Sequence, residues 1–403
     1  MSEYIFESYK DKLKIISKYA NILLLFCIIV DPTNVLFGIK DISFVFFVLV
    51  SLPFADFKWW VIPLSFLTVF FLTFAYALLS SFSIDVLFAL GFAKSFLFLI
   101  YVFWVDCDYL RTAKTFYYIT LFLSMSVLVI YFLMLLIPKS YAIISYFSEY
   151  HDNYFVQLGV RNFYEIDLFV LYHRVSSVCV VSLAMSMYLF LSTKRVSFLF
   201  NLLVFAAFLF ISGTRANMLS CILVVLGIFL FYLLLDKNQV VLFIGLFEIA
   251  LISTLVAVLF LLLAKDYSTD IKSGHLQSFI DLFSRNPVKF FFTGFGPGAY
   301  MYSEGFQEVI SLTELSYLEL IKNFGLLMTT WLVMMFGIPL LKNVTNVKNS
   351  KLGRFSLGLS YLAYLFIAGT NPLLTTSTGL IVFVIALYLS NKNIENEFFE
   401  RIN

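Results

Sequence analysis

The sequence predicts an all-α polytopic membrane protein of about 12 transmembrane helices, and two observations carry that expectation. First, 61% of the 403 residues are hydrophobic, 13% are charged and 50 are Phe, with a mean hydropathy of +0.94. A soluble globule cannot enclose that much apolar surface. Second, the apolar residues run continuously over bilayer-length stretches. Barrel strands would alternate and open sheets would leave unpaired edges in hydrocarbon, so the spans are helices. One integral membrane domain over residues 1–403 is expected.

Apolar runs of roughly 17 to 25 residues place spans at 15–30, 39–55, 59–81, 86–105, 116–137, 174–192, 197–212, 217–235, 240–264, 314–341, 355–370 and 373–390. Pro53 interrupts the second, and Asn371-Pro372 divides the last two. The opening residues carry no signal-peptide pattern, so the first span is expected to be retained. With the N-terminus inside, 16 of the 27 lysines and arginines fall on the inner side and 9 on the outer. That bias follows the positive-inside rule and puts both termini in the cytoplasm. Cys27, Cys179 and Cys221 lie in apolar runs and Cys107 in a short polar loop, without metal-ligand spacing; they read as packing residues.

This topology leaves two substantial outer segments, 138–173 and 265–313. The first mixes aromatics with amides and single charges around Tyr150, Tyr154 and Arg161. Such surfaces suit the apolar C–H face and hydroxyl rim of a sugar, and they also suit simple interfacial anchoring. Arg174 follows in Arg174-Val-Ser-Ser, at the outer start of the sixth span. Between the seventh and eighth spans lies Ile211-Ser-Gly-Thr-Arg215-Ala-Asn217. An arginine at a bilayer centre costs roughly 2.5 to 3.5 kcal/mol on insertion scales, so Arg215 belongs at the edge. There it is either a snorkelling anchor or a planar fork for an anion.

The second outer segment opens with an amphipathic helix, Leu276, Phe279, Ile280 and Phe283 sharing one face, ended by Pro287. Gly294-Phe-Gly-Pro-Gly298 follows, a tight turn whose amides are candidates to face an oxyanion. Ser311-Leu-Thr-Glu314 spells a capping box, so Glu314 is either a helix cap or a carboxylate at the lip of an outer cavity. Glu319 and Lys322 form an intramembrane pair at i and i+3. Asp106-Cys-Asp108 has the spelling of a metal-binding D-x-D but sits in an inner turn and reads as solvated. His151, His173 and His275 lack metal-ligand spacing, and neither a metal nor a cofactor is expected.

In order and topology, Arg174-Val-Ser-Ser, Ser212-Gly-Thr-Arg-Ala-Asn217, Gly274-His to Asn286-Pro287, Gly294 to Gly298 and Glu314 to Gly325 resemble the O-antigen polymerase and O-antigen ligase superfamily of bacterial inner membranes. The resemblance covers roughly residues 170–330. It implies a fold related to C-type glycosyltransferases and transfer of glycan from an undecaprenyl-diphosphate carrier on the periplasmic face. By the same resemblance Arg174 and Arg215 engage the carrier's diphosphate. Ligases usually open the tenth-span motif with His-Asn, whereas this chain has Glu314-Leu315, which favours polymerase over ligase. His275 stands where relatives often have arginine.

The expected reaction is metal-independent polymerisation of surface polysaccharide for lipopolysaccharide biosynthesis, joining undecaprenyl-diphosphate-linked repeat units. Arg215 stabilises the departing diphosphate, and Glu314 is the first and His275 the second candidate base. Candidate glycan contacts are Tyr150, Tyr154, Arg161, Arg285, Tyr300 and Tyr317. Expected partners are carrier-linked glycans, membrane lipid and a chain-length regulator protein, with no nucleic acid. A ligase acting on lipid A-core and a 12-span transporter or flippase are the competing readings.

Overall fold

Residues that are apolar on every side form a stable helix only where they are enclosed, and the last apolar run of this chain is the centre of its fold. In the computed structural model, which describes residues 2–34, 38–80, 83–137, 156–163, 166–235, 267–346 and 349–398, that run is a helix at Ser377–Asn391 whose residues from Thr378 to Ser390 are all buried.

Around it the chain lays down α1 (Ser2–Val30), α2 (Lys40–Ser51), α3 (Val61–Leu79), α4 (Val86–Leu97) and α5 (Thr112–Leu136). A β-hairpin follows, β1 (Val156–Phe163) with β2 (Ile166–His173), and then α6 (Cys179–Thr193), α7 (Val196–Ile211) and α8 (Arg215–Leu235). The second outer segment contributes α9 (Tyr267–Arg285), α10 (Pro287–Phe292) and a short hairpin of β3 (Met301–Ser303) with β4 (Glu308–Ile310). The chain closes with α11 (Ser316–Thr345), α12 (Lys351–Gly369), the central α13 (Ser377–Asn391) and α14 (Ile394–Phe398). Helices α5, α11 and α12 and the 3-10 stretch Phe98–Trp104 pack directly on α13.

Among the described residues, eight helices are long and apolar enough to cross a membrane, and α7 and α13 are shorter apolar helices. The lipid-facing surface is correspondingly apolar, with Leu79, Leu87 and Leu136 each more than three-quarters exposed. The protein is therefore a mostly helical, polytopic membrane protein. At 15 residues α13 rises only about 22 Å, less than a bilayer core of about 30 Å, but protein surrounds it and it need not match lipid. The expected span at 39–55 is a 12-residue helix followed by a 3-10 turn at Pro53. The expected span at 240–264 lies outside the described residues.

Two corrections to the expected all-α fold lie in segments 138–173 and 265–313. The first ends in the hairpin β1–β2, paired from Val156 with His173 to Phe163 with Ile166. The run Val-Gln-Leu-Gly-Val-Arg alternates as a half-buried strand does, and outside hydrocarbon a two-stranded edge is permitted. Because β2 reaches His173, the sixth span begins with a 3-10 turn at Ser176, after Arg174. The second correction is β3–β4, antiparallel and only three residues long on each side.

Candidate functional site

Helix ends and turns from both halves of the chain meet at one end of the bundle around a cavity of about 1310 Å³. The turn after α1, the N-termini of α4 and α8, the hairpin, and the turn between α12 and α13 all reach it. Three cationic side chains line it, Arg174, Arg215 and Lys272, against one carboxylate, Glu314. The N-terminus of α8, where Thr214, Arg215 and Ala216 face the cavity, adds backbone N–H groups and a positive dipole end. Its electrostatics favour an anion. Leu87, Phe88, Phe92 and Leu219 give part of the wall an apolar lining.

One buried amide holds the two arginine-bearing turns together. Asn217 is fully buried; its Nδ2 donates to Ser176 Oγ at 3.0 Å and Ser212 Oγ at 2.9 Å, and its Oδ1 accepts from Ser177 Oγ at 2.9 Å. Arg174-Val-Ser-Ser and Ser212-Gly-Thr-Arg-Ala-Asn217 are thus one physical unit. Gly213 completes it with a φ of +65°, and a Cβ there would stand 2.4 Å from Val170 Cγ1. The bare backbone lets β2 close against the turn.

The first turn of α11 is fixed by a second buried network. Lys322 Nζ is 2.7 Å from Glu319 Oε1 and donates to the carbonyls of Ala299 at 2.9 Å and Ser311 at 2.8 Å. Glu319 Oε2 accepts from the amide and hydroxyl of Thr313 at 3.3 and 3.1 Å. With its donors and acceptors matched, this pair is structural. It also corrects the capping-box reading: α11 starts at Ser316 with no side-chain cap at Leu315, and Glu319 reaches back where Glu314 was expected to. Glu314 instead faces the cavity, 3.7 Å from Lys272 Nζ.

The glycine loop also departs from its expected use. Gly294, Gly296 and Gly298 all have positive φ, as a tight turn requires. Yet the amides of Phe295 and Gly296 donate to the carbonyls of Lys322 and Asn323 at 2.7 and 3.1 Å. Gly325, with φ 77° and ψ 163°, breaks α11 at that point and turns those carbonyls toward the loop. These amides hold the helix and cannot serve an oxyanion.

His275 lies away from the cavity wall. Its ring is buried beneath the β3–β4 turn, Nδ1 within 2.9 Å of Ser303 Oγ and the ring edge-on to Phe306. Gly274 beside it permits the contact, since a Cβ there would fall 2.5 Å from Gly305 N. Burial lowers the His275 pKa below its ordinary value, with Glu314 and Glu319 partly opposing. Tyr317 is spent on a hydrogen bond to Leu365 O at 3.0 Å. Arg285 is the exposed last residue of α9, and Tyr300 is exposed outside the cavity lining. Tyr150 and Tyr154 lie outside the described residues, and Arg161 is described only as a position on β1. At the far end of the bundle, Asp106 and Asp108 pair with Lys58 at 4.0 Å and Lys392 at 2.5 Å.

Sequence reasoning missed Lys272, the bonding role of Asn217 and the threonine-rich turn Thr370–Thr378 on the cavity wall. Only the last has a readable signal: four threonines and an asparagine between two apolar runs. Comparison with protein-family models, curated proteins and solved structures finds no match to the chain.

Proposed function

We propose that the chain is a glycan polymerase. It joins polyprenyl-diphosphate-linked oligosaccharide repeat units, the carrier being undecaprenyl diphosphate, on the periplasmic face of a bacterial inner membrane. The observation that carries the reading is the convergence of Arg174, Arg215 and Lys272 with Glu314 on one cavity, the turns that bear the two arginines being bonded together through Asn217.

Two planar guanidiniums suit a diphosphate, whose paired oxygens they can grip at two points. In the reaction an acceptor hydroxyl oxygen attacks the donor's anomeric carbon. The bond from that carbon to the phosphate oxygen breaks, and its electron pair leaves with the diphosphate. The departing group gains charge as the bond breaks, so fixed cations accelerate the step. The acceptor's proton passes to the Glu314 carboxylate. Lys272, 3.7 Å from that carboxylate, is placed to turn to the phosphate when ligand enters. The apolar wall beside α4 suits the prenyl chain. At about 1310 Å³ the cavity exceeds the roughly 300 to 1,000 Å³ of ordinary small-ligand pockets, as two large substrates require.

The test is purified protein in nanodiscs with synthetic carrier-linked repeat units, resolved by gel or mass spectrometry. A ladder of products differing by one repeat unit supports polymerisation. Transfer only to lipid A-core would make the chain a ligase, and movement of intact substrate across vesicles without extension would make it a transporter.

A further inference from the structure

The cavity has one wall that anion binding leaves unexplained. The turn between α12 and α13 reads Thr370-Asn-Pro-Leu-Leu-Thr-Thr-Ser-Thr378 and supplies hydroxyls and an amide to the lining, with no charge. Its own framework is satisfied internally. The Leu373 amide donates to Asn371 O at 2.7 Å, Thr376 Oγ1 accepts from the Gly379 amide at 3.1 Å, and Ser316 Oγ donates to Asn371 O at 2.5 Å. Gly379 seals the turn, since a Cβ there would overlap Leu373 O at 1.9 Å. The turn is therefore rigid before any ligand arrives.

What remains points inward. Among the described residues the hydroxyls of Thr375 and Thr378 take part in no hydrogen bond within the chain, although Thr378 is only 3% exposed. On the same cavity Thr33, on the turn after α1, holds a buried hydroxyl without a partner. A buried hydroxyl left unpaired costs free energy, and together with the two unpaired, cavity-lining hydroxyls of the turn it calls for a ligand with several hydroxyls of its own. A phosphate would go to the arginines, and a prenyl chain would gain nothing from hydroxyls.

We propose that the turn 370–378 is a hydroxyl-reading subsite for a neutral hexopyranose ring, its Thr375 and Thr378 side chains exchanging hydrogen bonds with the sugar. The assignment rests on the polymerase reading for the identity of the attached group. Through the Ser316 bond the turn is tied to the start of α11, so a ring held there lies beside Glu314.

The experiment measures binding to the full-length protein in nanodiscs of two probes, undecaprenyl diphosphate and undecaprenyl diphosphate carrying a hexose–N-acetylhexosamine disaccharide. Wild type should bind the sugar-bearing probe at least about 10-fold more tightly. Thr375→Val with Thr378→Val removes both hydroxyls at nearly constant shape and should erase most of that preference, each lost hydrogen bond counting for roughly 2- to 10-fold. Affinity for the sugar-free probe should stay unchanged, which also reports that the double variant is folded. Thr375→Ser with Thr378→Ser should keep the preference. A preference that survives the double valine variant, or a wild type that binds both probes equally, overturns the subsite and leaves the diphosphate reading standing. A wild type that binds neither probe overturns both.

Discussion

Asn217→Ala should cost the protein both stability and function, by amounts that follow from its three hydrogen bonds. Truncation removes the donations to Ser176 and Ser212 and the acceptance from Ser177. All three serines are at most 1% exposed, so water cannot replace the amide. Ser212 keeps its donation to Leu209 O at 2.6 Å, while Ser176 and Ser177 lose the side-chain partner they have. A neutral hydrogen bond contributes about 1 kcal/mol net, and a buried hydroxyl left unpaired costs about 1 to 3 kcal/mol. The variant should therefore lose roughly 2 to 4 kcal/mol, read from equilibrium unfolding in mixed micelles. Transfer should fall on the order of 10²-fold, because a shift of about 1 Å in a positioning group is enough for that loss.

Stability and positioning separate in a triple variant, Asn217→Leu with Ser176→Ala and Ser177→Ala. Replacing both partners of a buried hydrogen bond by apolar groups can be nearly neutral, so most of the stability should return. The arginine turns would remain unlinked, and transfer should stay low. Wild-type transfer by a stable triple variant, or a loss below about 0.5 kcal/mol for Asn217→Ala, would show that this amide does not position the arginines.

Arg174→Lys and Arg215→Lys should each reduce extension by on the order of 10²-fold at equal expression, since an ammonium lacks the two-point grip; unchanged ladders from both would make these residues lipid anchors. Glu314→Gln should leave thermal unfolding unchanged, because this side chain caps no helix, while extension slows by roughly 10² to 10⁴-fold; a near-normal rate in purified assay would remove it as the base. Burial holds His173 down to about 4, against an ordinary 6.5, with a main-chain hydrogen bond at Val30 partly opposing. The unfolded chain then binds a proton that the folded chain refuses, so stability is full above pH 6.5 and falls toward pH 4 by on the order of 3 kcal/mol; His173→Asn should flatten that slope in unfolding midpoints measured across this range. For topology, Gln277→Cys should label from outside intact cells with an impermeant thiol reagent and Lys351→Cys should not, the reverse pattern inverting the site's sidedness. Cys107 will interfere little, since burial pushes its thiol up to about 11.

How much could be read in advance depended on which physical force placed each residue. The membrane dictates spans directly, so continuous apolar runs located the helices, including the enclosed α13. Arg174 and Arg215 were legible because each is expected on the side that the positive-inside rule leaves poor in basic residues, and Glu319 with Lys322 because a charged pair in a span must be matched. Features set by a distant partner were not legible. The spelling Ser311-Leu-Thr-Glu314 satisfies a local rule, but the Glu319 carboxylate takes Thr313 and the helix starts later. Lys272 looks like any surface lysine until α9 is placed with it 3.7 Å from Glu314, just ahead of α11.

That placement of α9 traces back through a series of contacts to the break in α11. At Gly325 the backbone takes φ 77°, and a side chain there would stand 2.8 Å from the amide nitrogens of Thr293 and Gly294. The break leaves the carbonyls of Lys322 and Asn323 to accept from Phe295 and Gly296, which docks the glycine loop on the helix. From that loop the chain enters β3, where Ser303 bonds His275 and the Glu304 amide donates to Ser278 Oγ at 2.8 Å. Those two bonds, with the Gly274–Gly305 contact, fix α9 in place and bring Lys272 to Glu314. The motif residues of the second outer segment are therefore mostly architectural. They hold one lysine and one carboxylate over a cavity whose other two cations are held, independently, by Asn217.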